Sequence, residues 1–411
     1  MKFHRTLLFA AILLLICPVH AAAQQNRQEA SIQIDALIKA ALQGDPVAQA
    51  SLGTMFLEGR VGPQDYEEAA KWLRQPAEQG DVIAQFFLGW MYLHGNGVPQ
   101  DYAEAAKLLR KPAEHGNAIA QFYMGEMYSR GDGVPQDYVK AAQWLRKPAE
   151  QGNAMAQSYL GSMYLNGNGV PRNRAEAEKW FRMAAERGNA AAQANLGSMY
   201  FHGSGVPKDY AEAAKWSRKA AEQGDAVAQA NLGAMYLQGK GVPQDYAEAA
   251  KWSRRAAEQG DAIAQANLGA MYLQGKGVPQ DYSEAAKWSL KAAEQGHVTA
   301  QVSLGSMYIQ GTGVPLNYAE AEKWFRKAAD QGDPMAQSML GSFYSEGLGV
   351  TKDSVEAYMW LTLSIAGSTD KQSLFFQKAA ELRESVAKKM NPQQIAEAQR
   401  RAREWRPKKS K

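Results

Sequence analysis

The chain has 411 residues, 45% hydrophobic and 21% charged, with 46 Lys and Arg against 42 Asp and Glu for a formal net charge of +4. Setting Lys2 and Arg5 aside as part of a leader brings the balance to +2, so charge gives no case for binding nucleic acid or an anionic membrane. The single cysteine, Cys17, excludes a disulfide framework and a cysteine-based metal site.

Taken from the N-terminus, Lys2 and Arg5 precede an apolar run at 7–16, and Ala21-Ala22-Ala23 follows before Gln24. The run is too short to span a bilayer as a stable helix. The pattern reads as a signal peptide over 1–23 with an A-x-A cleavage site. Ile16 and Pro18 flank Cys17, which does not fit a lipidation site. The mature chain is then exported, lacks cysteine and carries no integral membrane span. Residues 24–44 read as a linker and a capping helix, with 29–43 matching a lone second helix of the repeat that follows.

Residues 45–367 are nine copies of one unit. Gly53, Gly89, Gly125, Gly161, Gly197, Gly233, Gly269, Gly305 and Gly341 recur every 36 residues. Three further glycine columns keep phase, with Gly367 one residue early; with Gly44 they account for all 37 glycines. Copies six and seven (225–260 and 261–296) differ at only four positions. In copy six, Asp225 is placed to cap a first helix over 226–238, and Ala228, Leu232 and Tyr236 fall on one apolar face. Gly233 sits mid-helix at a cost of about 1 kcal/mol against Ala, which predicts close approach by a neighbouring helix. Gly239 suits a left-handed helix end, and Gly241-Val242-Pro243 a turn. Asp245 with Glu248 resembles a capping box opening the second helix, whose buried stripe is Ala249, Trp252 and Ala256. Such a helix pair cannot bury its apolar face alone and must stack on the next copy. The Trp column from Trp72 to Trp360, with Leu108 in copy two, and the Met column from Met55 to Met307 are expected to be core. Copy one departs at Arg60-Val61-Gly62, which leaves its first turn open.

Pro76, Pro112 and Pro148 replace the inner alanine of the second helix in copies one to three, and are expected to kink it and alter stacking. Beyond Gly367, residues 368–411 read as C-terminal capping helices and a basic tail. The first helix covers 370–390 with Leu374, Leu382 and Val386 inward. A second starts at Asn391-Pro392 with Ile395, Ala398 and Trp405 inward and Gln394 in a capping box. Lys408 to Lys411 are expected to be disordered.

The spacing A-x-x-x-L-G-x-x-Y, then G-x-G-V, Asp and A-x-x-W resembles the Sel-one-like repeat family, a relative of the tetratricopeptide repeat. Ala228, Leu232, Gly233, Tyr236, Gly239, Gly241, Val242, Asp245, Ala249 and Trp252 carry the match in copy six. The resemblance covers 45–367. It implies an all-α fold: a right-handed superhelical α/α solenoid of antiparallel helix pairs, with first helices lining a concave face. It also implies an exported bacterial interaction scaffold or regulatory binding protein of the envelope, with a protein or peptide partner. A secreted or surface-exposed protein that binds host factors is the alternative, and a hydrolase acting on cell-wall material or β-lactams a remote one.

If the first helices line a groove, the columns of Ala230 and Ala234 face it. They hold Ala or Ser in copies five to seven but Phe86, Trp90, Phe122 and Glu126 in copies two and three. His94 and Arg130 lie one turn further on, and Phe87, Tyr123 and Tyr159 replace the neighbouring Asn195, Asn231 and Asn267. Phe86, Phe87, Trp90, His94, Phe122, Tyr123, Glu126 and Arg130 are therefore the candidate partner site, since clustered aromatics beside Arg mark binding hot spots. The alternative is that these rings pack among themselves and change the stacking of the copies.

The search for chemistry is otherwise negative. His94, His115, His202 and His297 are scattered, no H-E-x-x-H or Walker loop occurs, and the G-x-G columns lie between helices rather than after a strand. Ser385-Val386-Ala387-Lys388 and Ser368-Thr369-Asp370-Lys371 read S-x-x-K without the S-D-N or K-T-G partners that such chemistry needs. No catalytic residue, metal site or cofactor is expected.

Overall fold

The structure, a computed structural model, describes residues 33–368, 370 and 374–408, all of whose regular elements are helices. The expected signal peptide and most of the linker lie outside the described residues. Two compact units meet at Arg187 and Gly188. The first holds α1 (33–42) and four pairs. These are α2 and α3 (Pro46–Glu58, Tyr66–Glu78), α4 and α5 (Val82–His94, Tyr102–Glu114), α6 and α7 (Ala118–Arg130, Tyr138–Glu150), and α8 and α9 (Ala154–Asn166, Arg174–Glu186). The second unit opens with α10 and α11 (Ala190–His202, Tyr210–Glu222), α12 and α13 (Ala226–Gln238, Tyr246–Glu258), and α14 and α15 (Ala262–Gln274, Tyr282–Glu294). It continues with α16 and α17 (Val298–Gln310, Tyr318–Asp330) and α18 and α19 (Pro334–Glu346, Ser354–Gly367), and ends on α20 (Leu374–Ala387) and α21 (Pro392–Glu404). In each unit the repeat helices α2 to α9 and α10 to α19 each pack on the next in sequence, so the helix pairs stack as a solenoid, and α20 and α21 both pack on α19.

The glycine columns explain the spacing. Mid-helix Gly233 lets α12 lie against α13: a Cβ there would stand 2.6 Å from the Ser253 hydroxyl and 3.1 Å from its backbone nitrogen. The partner of this column is Leu73, Leu109 and Leu145 in copies one to three, Phe181 in copy four and Ser217, Ser253 and Ser289 in copies five to seven. Gly239 ends α12 in the left-handed conformation with φ +66° and donates to the Met235 carbonyl. Trp252 and Ala256 are buried as expected, as are Trp216, Trp288 and Trp324; Met91 to Met307 are all buried, whereas Met55, Trp72 and Trp144 are half-buried.

Three local expectations need correction. Asp245 caps α13 through the N–H groups of Ala247 and Glu248, at 2.9 and 3.0 Å. The Glu248 side chain does not return to complete the box. It accepts instead from Lys251 at 2.8 Å and the Trp252 indole at 2.9 Å, so the carboxylate satisfies the one polar atom that a buried tryptophan carries. The prolines do not interrupt their helices: α3, α5 and α7 keep the same 13 residues as α11. Each proline falls in the last turn, where the capping bond changes. The capping N–H reaches four residues back, from Gln79 to the Gln75 carbonyl at 3.1 Å, where Gln223 reaches three back to Ala220. Lastly, Lys408 is not in a free tail. It donates its backbone N–H to the Asp330 carbonyl and its ammonium to the Asp330 carboxylate, both at 2.7 Å.

A glutamine column, absent from the sequence argument, ties copies together. Gln229, Gln265 and Gln301 are buried, and each donates to the alanine carbonyl of the preceding second helix, at 3.0, 3.0 and 3.1 Å. In the second unit, Gln259, Gln295 and Gln331 cap the ladder by donating to their Oε1 atoms at 2.8 to 2.9 Å. In the first unit, Gln49, Gln85, Gln121 and Gln157 make the first bond but their Oε1 atoms have no partner. For Gln49, Gln85 and Gln121 the missing rung coincides with the altered last turn, which carries Gln79, His115 and Gln151 at the position of Gln259. For Gln157 that position holds Arg187, and for Gln337 of the second unit, also without the rung, it holds Gly367.

The termini close on both sides. Gln49 bonds the Ala41 carbonyl of α1, which caps copy one. Val386 and Ala398 are buried and Trp405 packs edge-on against Trp360 at 6.4 Å, while Asn391 and Gln394 form the expected capping box. Leu374, expected inward, is 65% exposed because α20 starts there, ahead of its contact with α19.

His297 replaces the usual Asp or Asn as the cap of α16; its Nδ1 accepts from the Ala300 N–H at 3.3 Å. Burial lowers its pKa below the ordinary 6.5, partly opposed by Asp261. Only the neutral ring can accept, so this cap is fully present above pH 6.5 and is lost as pH falls through the lowered folded value. Comparing thermal melts at roughly pH 8 and pH 5, the wild type should lose more stability than His297→Asp. Equal losses would remove the histidine from the account.

Candidate functional site

The first helices of copies two and three, α4 and α6, carry the candidate residues, all within the first unit. Burial within the column of Ala230 varies between copies: Ala230, Phe122 and Ser158 are buried, while Phe86, Ala194 and Ala266 are half-buried. Phe122, at 6% exposure, is a core residue, packed edge-on against Tyr159 at 5.9 Å, and leaves the candidate site. In the next column Phe87 and Tyr123 are half-buried. Trp90 is half-buried, and His94 and Arg130 are exposed.

The structure brings these residues into two adjoining pockets that share Tyr123. The first, of about 330 Å³, is lined by Phe86, Phe87, Trp90 and Tyr123. Sequence reasoning missed its remaining walls: Leu57 and Glu58 at the end of α2, Gln64, Tyr66 and Ile119. Tyr66 belongs to the tyrosine column that opens most second helices, so nothing in its own copy marked it. Its ring lies 6.3 Å from Trp90 at 38°, and Phe86 meets Phe87 at 5.2 Å and 62°. The second pocket, of about 300 Å³, is lined by His94, Tyr123, Glu126 and Arg130, with Leu93, Gln100, Tyr102, Met127 and Asp132. His94 links the two, 4.7 Å from the Trp90 ring and 5.8 Å from Tyr123, with Nδ1 at 2.8 Å from the Trp90 carbonyl oxygen.

The charged pair in the second pocket is engaged internally. Arg130 meets Glu126 at 2.7 Å, and Tyr159 donates to the same carboxylate at 2.8 Å while accepting from Arg130 at 3.1 Å. Burial opposes the Arg130 charge, but Glu126 and the Tyr159 hydroxyl outweigh it and its pKa lies above the ordinary arginine value. Burial, followed by the bond to Glu126, raises the Tyr159 phenol. This triad holds α6 against α8 and leaves the rings of the first pocket as the open apolar surface.

Among the described residues no group of three or more His, Cys, Asp or Glu is placed to hold a metal ion. Ser385 on α20 and Lys388, just past its end, are both exposed, and Ser368-Thr369-Asp370-Lys371 lies partly outside the described residues. No described helix is long and apolar enough to cross a membrane.

Comparison with known proteins agrees with this architecture. A search of the curated proteins finds no match. The chain resembles the crystal structure of c5321, a protective antigen present in uropathogenic Escherichia coli strains that displays an SLR fold. It is 33% identical over 90% of this chain and 94% of that one, with a TM-score of 0.55. It also resembles a Sel1 repeat protein from Oxalobacter formigenes, 36% identical over 76% of this chain and 89% of that one, with a TM-score of 0.55. The Sel1 repeat itself matches nine times in succession, over 46–81, 82–117, 118–153, 154–189, 190–225, 226–261, 262–297, 298–333 and 334–367. The chain therefore belongs to the Sel1 repeat family, whose members are protein-interaction scaffolds.

Proposed function

We propose that this chain is an exported scaffold of the bacterial envelope that holds a peptide segment of a partner protein against the first helices of copies two and three. One observation carries the site: an open pocket of about 330 Å³ walled by aromatic rings, at columns that hold Asn and Ala in copies six and seven. Large, rigid side chains at low entropic cost are what concentrates binding energy in a few residues. Export is supported by the basic, apolar and small-residue sequence of 1–23.

Panning a phage-displayed random peptide library on the purified protein tests the site. The enriched peptides should bind wild type about tenfold or more tighter than a Trp90→Ala, Tyr123→Ala variant. Circular dichroism melts report whether the variant is folded. Peptides that bind both proteins equally would place the partner elsewhere.

A second reading has its own support. The 33%-identical relative from uropathogenic Escherichia coli is a protective antigen, which favours a secreted or surface-exposed, host-facing protein. Cell fractionation separates the two: recovery from the periplasm supports the envelope scaffold, and recovery from medium or intact cell surfaces supports host contact.

A further inference from the structure

We infer that the occupant of the Tyr66–Trp90 pocket is a proline-rich segment in the polyproline II conformation. This rests on the reading of the pocket as a peptide site and adds the class of peptide. Charge gives the first argument. The only ionised side chain lining the pocket is Glu58, and Arg60 pairs with it at 2.6 Å. A charged occupant would lose hydration without gaining a free counter-charge, so the ligand is uncharged at this point.

Shape gives the second. Tyr66 and Trp90 stand 6.3 Å apart at 38°, and Phe86 and Phe87 stand at 62°. At these separations the rings of each pair touch one another, and their outer faces make a continuous aromatic wall. A proline ring is compact and rigid, and loses almost no side-chain entropy on packing against such a wall. Proline-rich segments dock in aromatic-lined grooves for this reason.

Hydrogen bonding gives the third. The indoles of Trp216, Trp252 and Trp288 each donate to a glutamate one turn earlier, at 2.9 Å. Position 86, one turn before Trp90, is phenylalanine, so that partner is absent. Among the described residues no side chain or carbonyl accepts from Trp90 Nε1 or from the Tyr66 and Tyr123 hydroxyls. The pocket therefore presents donors that an occupant carrying acceptors can engage. A polyproline II segment leaves its carbonyls unpaired, and each proline brings a carbonyl without an N–H. A helical segment consumes its own carbonyls. A glycan also stacks on rings, but it brings many hydroxyl donors, and the single carboxylate here is already engaged.

Fluorescence anisotropy of labelled decaproline, titrated with the purified protein, tests the inference. Saturable binding is expected, weakened about tenfold by Trp90→Ala and about threefold by Trp90→Phe, which keeps a ring and removes the N–H. The phenylalanine variant guards against misfolding of the alanine variant. Decaproline binding unaffected by both substitutions would overturn the inference. So would absence of binding while the panned peptides still depend on Trp90, a result that leaves the peptide site standing and rejects only its proline character. Trp90-dependent binding of chitohexaose without decaproline binding would overturn it in favour of a glycan.

Discussion

Replacing Gly241 by alanine is expected to break the join between copies five and six. The position combines two constraints that act on backbone alone. Its φ is +72°, a region that costs an L-residue about 1–2 kcal/mol. A Cβ there would also stand 1.8 Å from the Tyr210 carbonyl oxygen and 2.3 Å from its carbonyl carbon. No rotamer change relieves a clash with main chain, so the turn of copy six must withdraw from the first residue of α11. Overpacking of this kind adds roughly 1–3 kcal/mol, occasionally more. Gly260→Ala is the matched control: its φ is +98° but nothing lies within 4 Å, so it carries the conformational cost alone. Thermal melts should place Gly241→Ala well below Gly260→Ala, with hydrogen exchange rising first in copies five and six. Equal melts would show that the second glycine of G-x-G serves only its own turn.

Gln265→Leu should cost about 2–3 kcal/mol, and Gln121→Leu about half of that. Both side chains are buried and both donate to an alanine carbonyl of the preceding copy, at 3.0 and 2.9 Å. Only Gln265 also accepts, from Gln295 at 2.8 Å, and Gln295 in turn donates to the Gly260 carbonyl at 2.9 Å. Leucine in place of Gln265 removes two bonds, although the Ala257 carbonyl keeps the Gly260 N–H at 3.1 Å and Gln295 keeps the Gly260 carbonyl. In place of Gln121 it removes only the bond to the Ala113 carbonyl, which keeps the Gly116 N–H at 3.0 Å, because the Gln121 Oε1 had no partner to lose. Urea denaturation of the two variants measures the difference directly. If the two losses match, the second rung of the ladder contributes nothing and the units do not differ in this respect.

The fold was legible because each repeat copies the same physical requirements. Gly233, Gly239 and Gly241 can be assigned from their interval, since only a mid-helix approach, a left-handed cap and a tight turn demand glycine at those positions. Trp252 reads as core from helical spacing. The glutamine ladder did not stand out, because a buried glutamine looks polar and its partners lie in another copy. The prolines misled in a different way. Their effect depends on distance from the helix end, and in the last turn the group that would lose its bond is already near the terminus. For the candidate site, sequence identified Phe87, Trp90 and Tyr123 by comparison with Asn231 and Ala234. It could not separate them from Phe122, because burial at that column differs between copies: Phe86, 36 residues earlier, stays half-buried and lines the pocket. Tyr66 escaped because it comes from the second helix of copy one, whose place beside Trp90 only the stacking reveals.

The account divides the chain into columns that build the stack and positions that meet a partner. An exchange of residues between copies tests that division, using side chains the fold already accepts at the same columns: Phe87→Asn, Trp90→Ala and Tyr123→Asn, the residues of copy six. The deciding measurement is the affinity of a panned peptide for this triple variant by isothermal titration calorimetry, alongside its melting temperature. The account predicts a folded protein with a melting temperature close to wild type and affinity lower by about a hundredfold or more. A folded variant that binds the peptide as tightly as wild type would contradict it.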